Sequence, residues 1–236
     1  MKRTVVNTLL KTVAALGMAV FLTACGGSDL GEIIEERREA SFEEKVVTWL
    51  TDLQAYQATA SVTYVSNKNV NHYDISHTVT RAGSYLIEVI GPERLAGNVT
   101  VSNGQHIFQV HRGLGHKFEL GTVYERETKE RTSLLLTNFA DAFLDSPQAI
   151  DKQPDTGHHV LGVDVDSQHR YIARLVLVID GAFNPLSLTS YDCDGEARIV
   201  VSYSSFVANP EIDVSVFDIQ SMEELASTTD ESSQDS

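Results

Sequence analysis

Histidines, paired carboxylates and two cysteines are the side chains of this chain with the most chemical potential. His106, His111 and His116 recur every five residues, a spacing that invites a metal site. Residues 106–111 alternate as a strand does, and a five-residue step along a strand reverses the face. His106 and His111 are therefore expected on opposite sides, and the adjacent His158 and His159 diverge for the same reason. His72, His77 and His169 have no carboxylate at the spacing that zinc sites use. Asp164 and Asp166 alternate beside a turn but lack the glycine-anchored loop of a calcium site. Solvated or hydrogen-bonded roles suit all of these, and neither metal nor cofactor is expected. No Gly-x-Ser-x-Gly elbow, Ser-x-x-Lys, phosphate loop, dinucleotide fingerprint or His-Glu-x-x-His occurs. Acidic pairs are too common here to single out a glycosidase-like couple. The chain reads as a protein that acts by binding, with no catalytic residue and no enzymatic activity expected. A hydrolase with an unrecognised site is the weakest reading.

The cysteines differ. Cys193 lies in Tyr191-Asp192-Cys193-Asp194-Gly195, where neighbouring carboxylates disfavour a thiolate, so a passive residue at a strand end is expected. Cys25 closes an N-terminal stretch with Lys2 and Arg3 at its start, an apolar run over residues 13–22 and small residues after it. That order is a secretory signal of bacterial type. The apolar run is too short for the roughly 20 residues of a membrane span. Leu22-Thr23-Ala24-Cys25 resembles the lipobox of bacterial lipoproteins. The resemblance implies a diacylglyceryl group on Cys25, cleavage before it and acylation of the new N-terminus. The expected location is the extracytoplasmic face of a bacterial membrane, a spore or forespore membrane included. With Cys25 lipidated, Cys193 has no partner in the chain and no internal disulfide is expected.

A chain beginning at Cys25 has 212 residues, enough for one large β domain. The full sequence has net charge −15, and loss of Lys2, Arg3 and Lys11 takes it to −18. So acidic a surface repels phosphate backbones, which excludes a nucleic-acid partner on electrostatic grounds. It also repels anionic headgroups, so the acyl chains must hold it to the membrane.

These features need elements to carry them. Residues 1–24 are the signal, and 25–40 are an acylated, polar and strongly charged tether. Ser41-x-x-Glu44 fits a capping box, and Val46, Trp49, Leu50 and Leu53 make one apolar helix face. From Tyr56 the period becomes two, with Ala58, Ala60, Val62 and Tyr64 on one side. Strands are expected at 70–80, 84–90, 97–102, 105–111, 116–121, 158–165, 169–179, 186–192, 196–206 and 212–219. Asn103-Gly104 marks a two-residue hairpin. A second helix is expected at 132–144, followed by a polar loop at 147–157. Residues 221–236 form an acidic tail of low complexity, expected to be disordered. The architecture is mainly β: a single incomplete antiparallel β-barrel of about 10–11 strands, spanning residues 41–220, with helices on the concave face. Trp49, Phe108, Phe139 and Phe143 are the candidates for lining a cavity there, although filling the core between helices and sheet is the simpler role.

The block YLIEVIGPERLAGNVTVSNGQHIFQVH, residues 85–111, carries a resemblance. Together with the Trp-bearing helix before it, it is similar to the LolA/LolB superfamily of lipoprotein carriers. Within that superfamily, residues 88–93 and 96–104 look closest to the GerS germination lipoproteins of spore-forming clostridia, and residues 133–147 fit the same group. The resemblance implies an incomplete barrel with an apolar cavity for acyl chains. It also implies a role in germination, supporting the N-acetylmuramoyl-alanine amidase that modifies cortex peptidoglycan by binding it. The alternative it leaves is a carrier or acceptor of lipids or lipoproteins. Carriers have a latch arginine in the strand before the proline turn, where this chain has Leu86, and they lack a lipid anchor.

Overall fold

Ser41 starts the first helix through a reciprocal pair of bonds. Its backbone N–H donates to Glu44 Oε2 at 2.7 Å, and the Glu44 N–H donates to Ser41 Oγ at 3.2 Å. The pair satisfies donors that a helix N-terminus otherwise leaves open. The helix, α1, runs Phe42–Asp52, and Val46 and Leu50 on its inner side are fully buried. The computed structural model describes residues 39–111, 116–122, 134–146, 150–165 and 172–218. The expected signal and acidic tail, most of the tether, and Asp166 and His169 lie outside them. No helix among the described residues is long and apolar enough to cross a membrane.

The strands are β1 (Ala55–Val65), β2 (Val70–Thr80), β3 (Ser84–Gly91), β4 (Asn98–Asn103), β5 (His106–His111), β6 (His116–Thr122), β7 (Ile150–Lys152), β8 (His159–Asp164), β9 (Arg174–Ile179), β10 (Pro185–Tyr191) and β11 (Ala197–Ala208). They form one sheet in the order β6-β5-β4-β3-β2-β1-β11-β10-β9-β8-β7, with every pairing antiparallel. Two meanders thus meet where β1 pairs with β11. β6 and β7 end the order without pairing to each other, so the barrel is incomplete, as expected. The second helix, α2 (Leu136–Asp145), lies between β6 and β7 in the chain.

Both helices cover the concave face. In β1, Tyr56, Ala58, Ala60 and Val62 are buried while Gln57 and Ser61 are exposed. Those inward residues join Leu136, Phe139, Ala140 and Phe143 of α2 and Val46 and Leu50 of α1 in one apolar core. The N-cap of α2, Leu135, has no side chain able to cap. Tyr56 Oη accepts from the Leu136 N–H at 3.2 Å in its place, so a strand residue satisfies the helix terminus.

Three expectations need correction. Residues 212–219 do not form a strand: Val214–Phe217 is a 3₁₀ turn. Pro210 has no N–H to extend the ladder beyond β11, and the Asp213 carboxylate accepts from the Ser215 N–H at 2.9 Å and starts the turn. Phe217 then packs on the convex face against Val101, with Leu86, Phe108 and Ile212 around it. The polar stretch 147–157 contains β7, a three-residue strand held by pairing with β8 and carrying no apolar alternation. In the β4–β5 hairpin, Asn103 is the last strand residue and Gly104-Gln105 form the turn. Gly104 has φ +90°, and Asn103 Oδ1 accepts from the N–H groups of Gln105 and His106. Glycine therefore takes the first turn position, where a positive φ is needed.

Candidate functional site

Beside the helices, the concave faces of β1 to β5 enclose a cleft of about 580 Å³. That is within the range of small-molecule sites. The pleat decides which side chains reach it. β1 contributes Val62 and Tyr64, β2 contributes Asn71, Tyr73 and Ile75, and β3 contributes Tyr85, Ile87 and Val89. β4 and β5 contribute Asn98, Thr100 and Gln109, and Leu95 and Leu134 complete the wall. Tyr64 and Tyr73 meet edge to face at 5.8 Å. Among the described residues no Asp, Glu, Lys, Arg or His side chain lines this cleft, although the chain as a whole carries −15.

The register carries a second feature. Ala58, His77, Ile87, Thr100 and Gln109 stand directly opposite one another across β1, β2, β3, β4 and β5. In β4 this places Asn98 and Thr100 towards the cleft and Val99 and Val101 towards the convex side. Val99 and Val101 are fully buried there. The polar row of β4 thus faces inward and its apolar row outward, the reverse of β1.

Farther along the concave face, His77 is 1% exposed and neither ring nitrogen has a hydrogen-bond partner among the described residues. Its ring meets Tyr56 edge to face at 5.3 Å and lies parallel to Tyr203 at 6.0 Å. Burial holds its pKa down at about 4 and pushes the Tyr203 hydroxyl well above its ordinary value. Tyr203 Oη also lacks a partner among the described residues. A bulge makes this cluster possible. β11 pairs Ser205 with Thr59 and Tyr203 with Ala60, leaving Ser204 as the extra residue. Tyr203 and Phe206 both turn inward as a result. The small Ala58 and Ala60 on β1 leave room for His77 from one side and Tyr203 and Phe206 from the other.

The helices are fastened by Arg81, in the turn after β2. Its Nη1 donates to Leu50 O at 2.6 Å and to the carbonyls of Thr51 and Leu53, each at 3.3 Å. Its Nε and Nη2 donate to Asp141 Oδ1 of α2 at 3.0 and 2.6 Å. α1 has no basic residue in its last turn, so Arg81 supplies the cation that its C-terminal carbonyls favour. Leu86, at the place where the carrier resemblance puts an arginine, faces the convex side beside Val101 and Phe217. One guanidinium from a neighbouring turn therefore links the sheet to both helices.

The cleft draws its walls from residues other than the four aromatic candidates. Phe139 and Phe143 are fully buried in the core and stack at 5.7 Å. Trp49 packs at the edge of that core and lies 6.0 Å from Phe183. Phe108 is on the convex face with Phe217. Cys25 lies outside the described residues. His106 and His111 are on opposite faces of β5 by register. Asp164 is paired with Arg174 at 2.9 Å, and Cys193 is exposed. Among the described residues no three His, Cys, Asp or Glu side chains gather as a metal site would require. Sequence reasoning missed Asn71, Thr100 and Gln109 as a group, and Arg81 as a clamp. The alternation of residues 97–102 does separate Thr100 from Val99 and Val101, but it carries no sign of which side is inward.

Comparison with solved structures finds several of similar extent. A chain in the structure of the CwlD amidase from Clostridioides difficile in complex with the GerS lipoprotein is 23% identical, with a TM-score of 0.42, covering 75% of this chain and 99% of that one. A LolA superfamily protein from Nitrosomonas europaea is 10% identical, with a TM-score of 0.41, covering 77% and 100%. An uncharacterised conserved protein from Thermus thermophilus is 13% identical, with a TM-score of 0.44, covering 73% and 91%. No curated protein matches. The model of the sporulation protein YdcC-like family matches residues 16–217. The chain thus belongs to the sporulation protein YdcC-like family.

Proposed function

We propose that this chain is a lipid-anchored, non-catalytic binding protein of sporulation and germination that supports a cortex peptidoglycan amidase. The observation that carries the reading is the family match over residues 16–217. The 85–111 block, similar to GerS lipoproteins, adds the amidase as partner. The cleft adds a binding surface whose described lining residues carry no charge. Cys25 supplies the anchor, and residues 26–40 supply a tether of at most about 50 Å at ~3.3 Å per residue. A body so held works within a shell beside the membrane, where it keeps a partner in place. Co-purification of the amidase with this chain from sporulating cells tests the reading. A deletion strain with normal cortex modification would refute it.

A second reading, a carrier or acceptor of acyl chains, is favoured by one feature: Val62, Ile75, Ile87 and Val89 make part of the cleft wall aliphatic. Native mass spectrometry of the purified chain tests it. Absence of any bound acyl species, with no stabilisation on adding one, counts against it.

A further inference from the structure

We propose that the cleft between β1 and β5 is a binding site for an uncharged oligosaccharide bearing amide groups, of the N-acetylhexosamine kind. The inference rests on the binding role of the protein and is independent of the amidase as partner. Three observations lead to it.

The first is electrostatic. In a chain of net charge −15 the described residues that line the cleft include no acid or base, which favours a neutral ligand. The second is unspent hydrogen-bonding capacity. The side chains of Asn71, Thr100 and Gln109 face the cleft and make no hydrogen bond within the described protein. Thr100 and Gln109 stand opposite each other on adjacent strands, one strand spacing or about 5 Å apart. Together they offer a hydroxyl beside an amide, donors and acceptors that match a sugar hydroxyl and an acetamido group. The third is the inverted pleat of β4. A cavity for acyl chains alone would turn Val99 and Val101 inward and Thr100 outward, and the register does the opposite. Tyr73 adds a ring with an apolar face for the C–H side of a pyranose and a polar end for its hydroxyls.

An extended peptide fits the site less well. Peptides that join a sheet do so along a free strand edge, through backbone bonds. This cleft lies on the face of β1 to β5, and β1 to β5 are each paired on both sides. Recognition there runs through side chains alone.

Tri-N-acetylchitotriose, titrated into the full chain by calorimetry and followed by saturation-transfer NMR, is the test. Saturable binding is expected, weakened roughly fivefold by Thr100→Val and by Gln109→Leu, the loss of one neutral hydrogen bond each. Thr100→Val keeps side-chain shape and Gln109→Leu shortens the side chain by one atom, and an unchanged urea midpoint separates lost binding from lost folding. Absence of saturable binding overturns the proposal, as does binding that both variants retain in full. Binding of a neutral peptide or a monoacylglycerol in place of the sugar also overturns it. Because amidase co-purification is a separate readout, failure here leaves that reading standing, and its failure leaves this one standing.

Discussion

His77 makes the stability of this protein depend on pH in a window where few other groups act. Its pKa is about 4 in the folded chain and 6.5 when exposed, because burial without a partner disfavours the charged ring. A base whose folded pKa is depressed binds its proton more readily in the unfolded chain. Stability is therefore full above pH 6.5 and falls as the pH drops from 6.5 towards 4. The 2.5-unit difference between those values corresponds to about 3 kcal/mol in total, and about 2 kcal/mol of it is lost at about pH 5. The assay is urea unfolding of wild type and His77→Phe at about pH 7.5 and about pH 5. Wild type should lose about 2 kcal/mol more than the variant between the two. Carboxylates with lowered pKa, among them Asp180, Asp192 and Asp213, also cost stability on acidification, but below about pH 4, and they are common to both proteins. The lowered pKa of His159 acts in the same direction as His77 and cancels likewise. His77→Leu must show the same flattened pH dependence whatever its absolute stability. Equal pH dependence in wild type and both variants would refute a buried, unpartnered, neutral His77.

Arg81→Met removes bonds to α1 and α2 together and should cost about 2–3 kcal/mol by chemical unfolding, since a buried-side cation on helix carbonyls is lost. Asp141→Asn, at a side chain 54% exposed, should cost under about 1 kcal/mol, so equal losses would show that the ion pair and not the carbonyl bonds is what matters. Phe139→Ala should lose about 3–5 kcal/mol from the fully buried core, and Phe108→Ala clearly less, because that ring is only half-buried on the convex face. Cys25→Ala should release the protein from the membrane fraction with an unchanged unfolding midpoint. A variant that stays membrane-bound removes the lipidation reading.

Local rules account for much of this molecule. The capping box at Ser41 and Glu44 needs only residues within four positions, so the start of α1 is readable directly. The two-residue period of residues 56–64 marks a strand because alternate side chains of a strand always part to opposite faces. An incomplete antiparallel barrel follows from many such runs joined by short turns. Composition excludes a nucleic-acid footprint for the same kind of reason: charge is a sum over residues and needs no fold. Where an element depends on a distant partner, the local signal weakens. β7 exists because β8 lies beside it, and the turn that Asp213 starts is held on the sheet where Phe217 packs against Val101.

The site belongs to that second kind. A period of two divides residues into two faces but leaves open which one is inward, since a shift of one residue exchanges them. The alternation of Asn98-Val99-Thr100-Val101 leaves both faces open until the pairing of β3, β4 and β5 turns Thr100 and Gln109 to the cleft. Phe108 illustrates the cost of that ambiguity: an aromatic ring in a strand of the sheet, pointing away from the cavity. Arg81 is one cation in a turn until the chain brings Leu50 and Asp141, 31 and 60 residues away, within hydrogen-bonding distance. His77 is one histidine of eight until Tyr56, Tyr203 and the bulge at Ser204 enclose it. Strands, caps and net charge follow from neighbours in the chain. The inward face, the clamp and the buried imidazole follow from contacts between residues far apart in it, and only the register of the folded sheet specifies those.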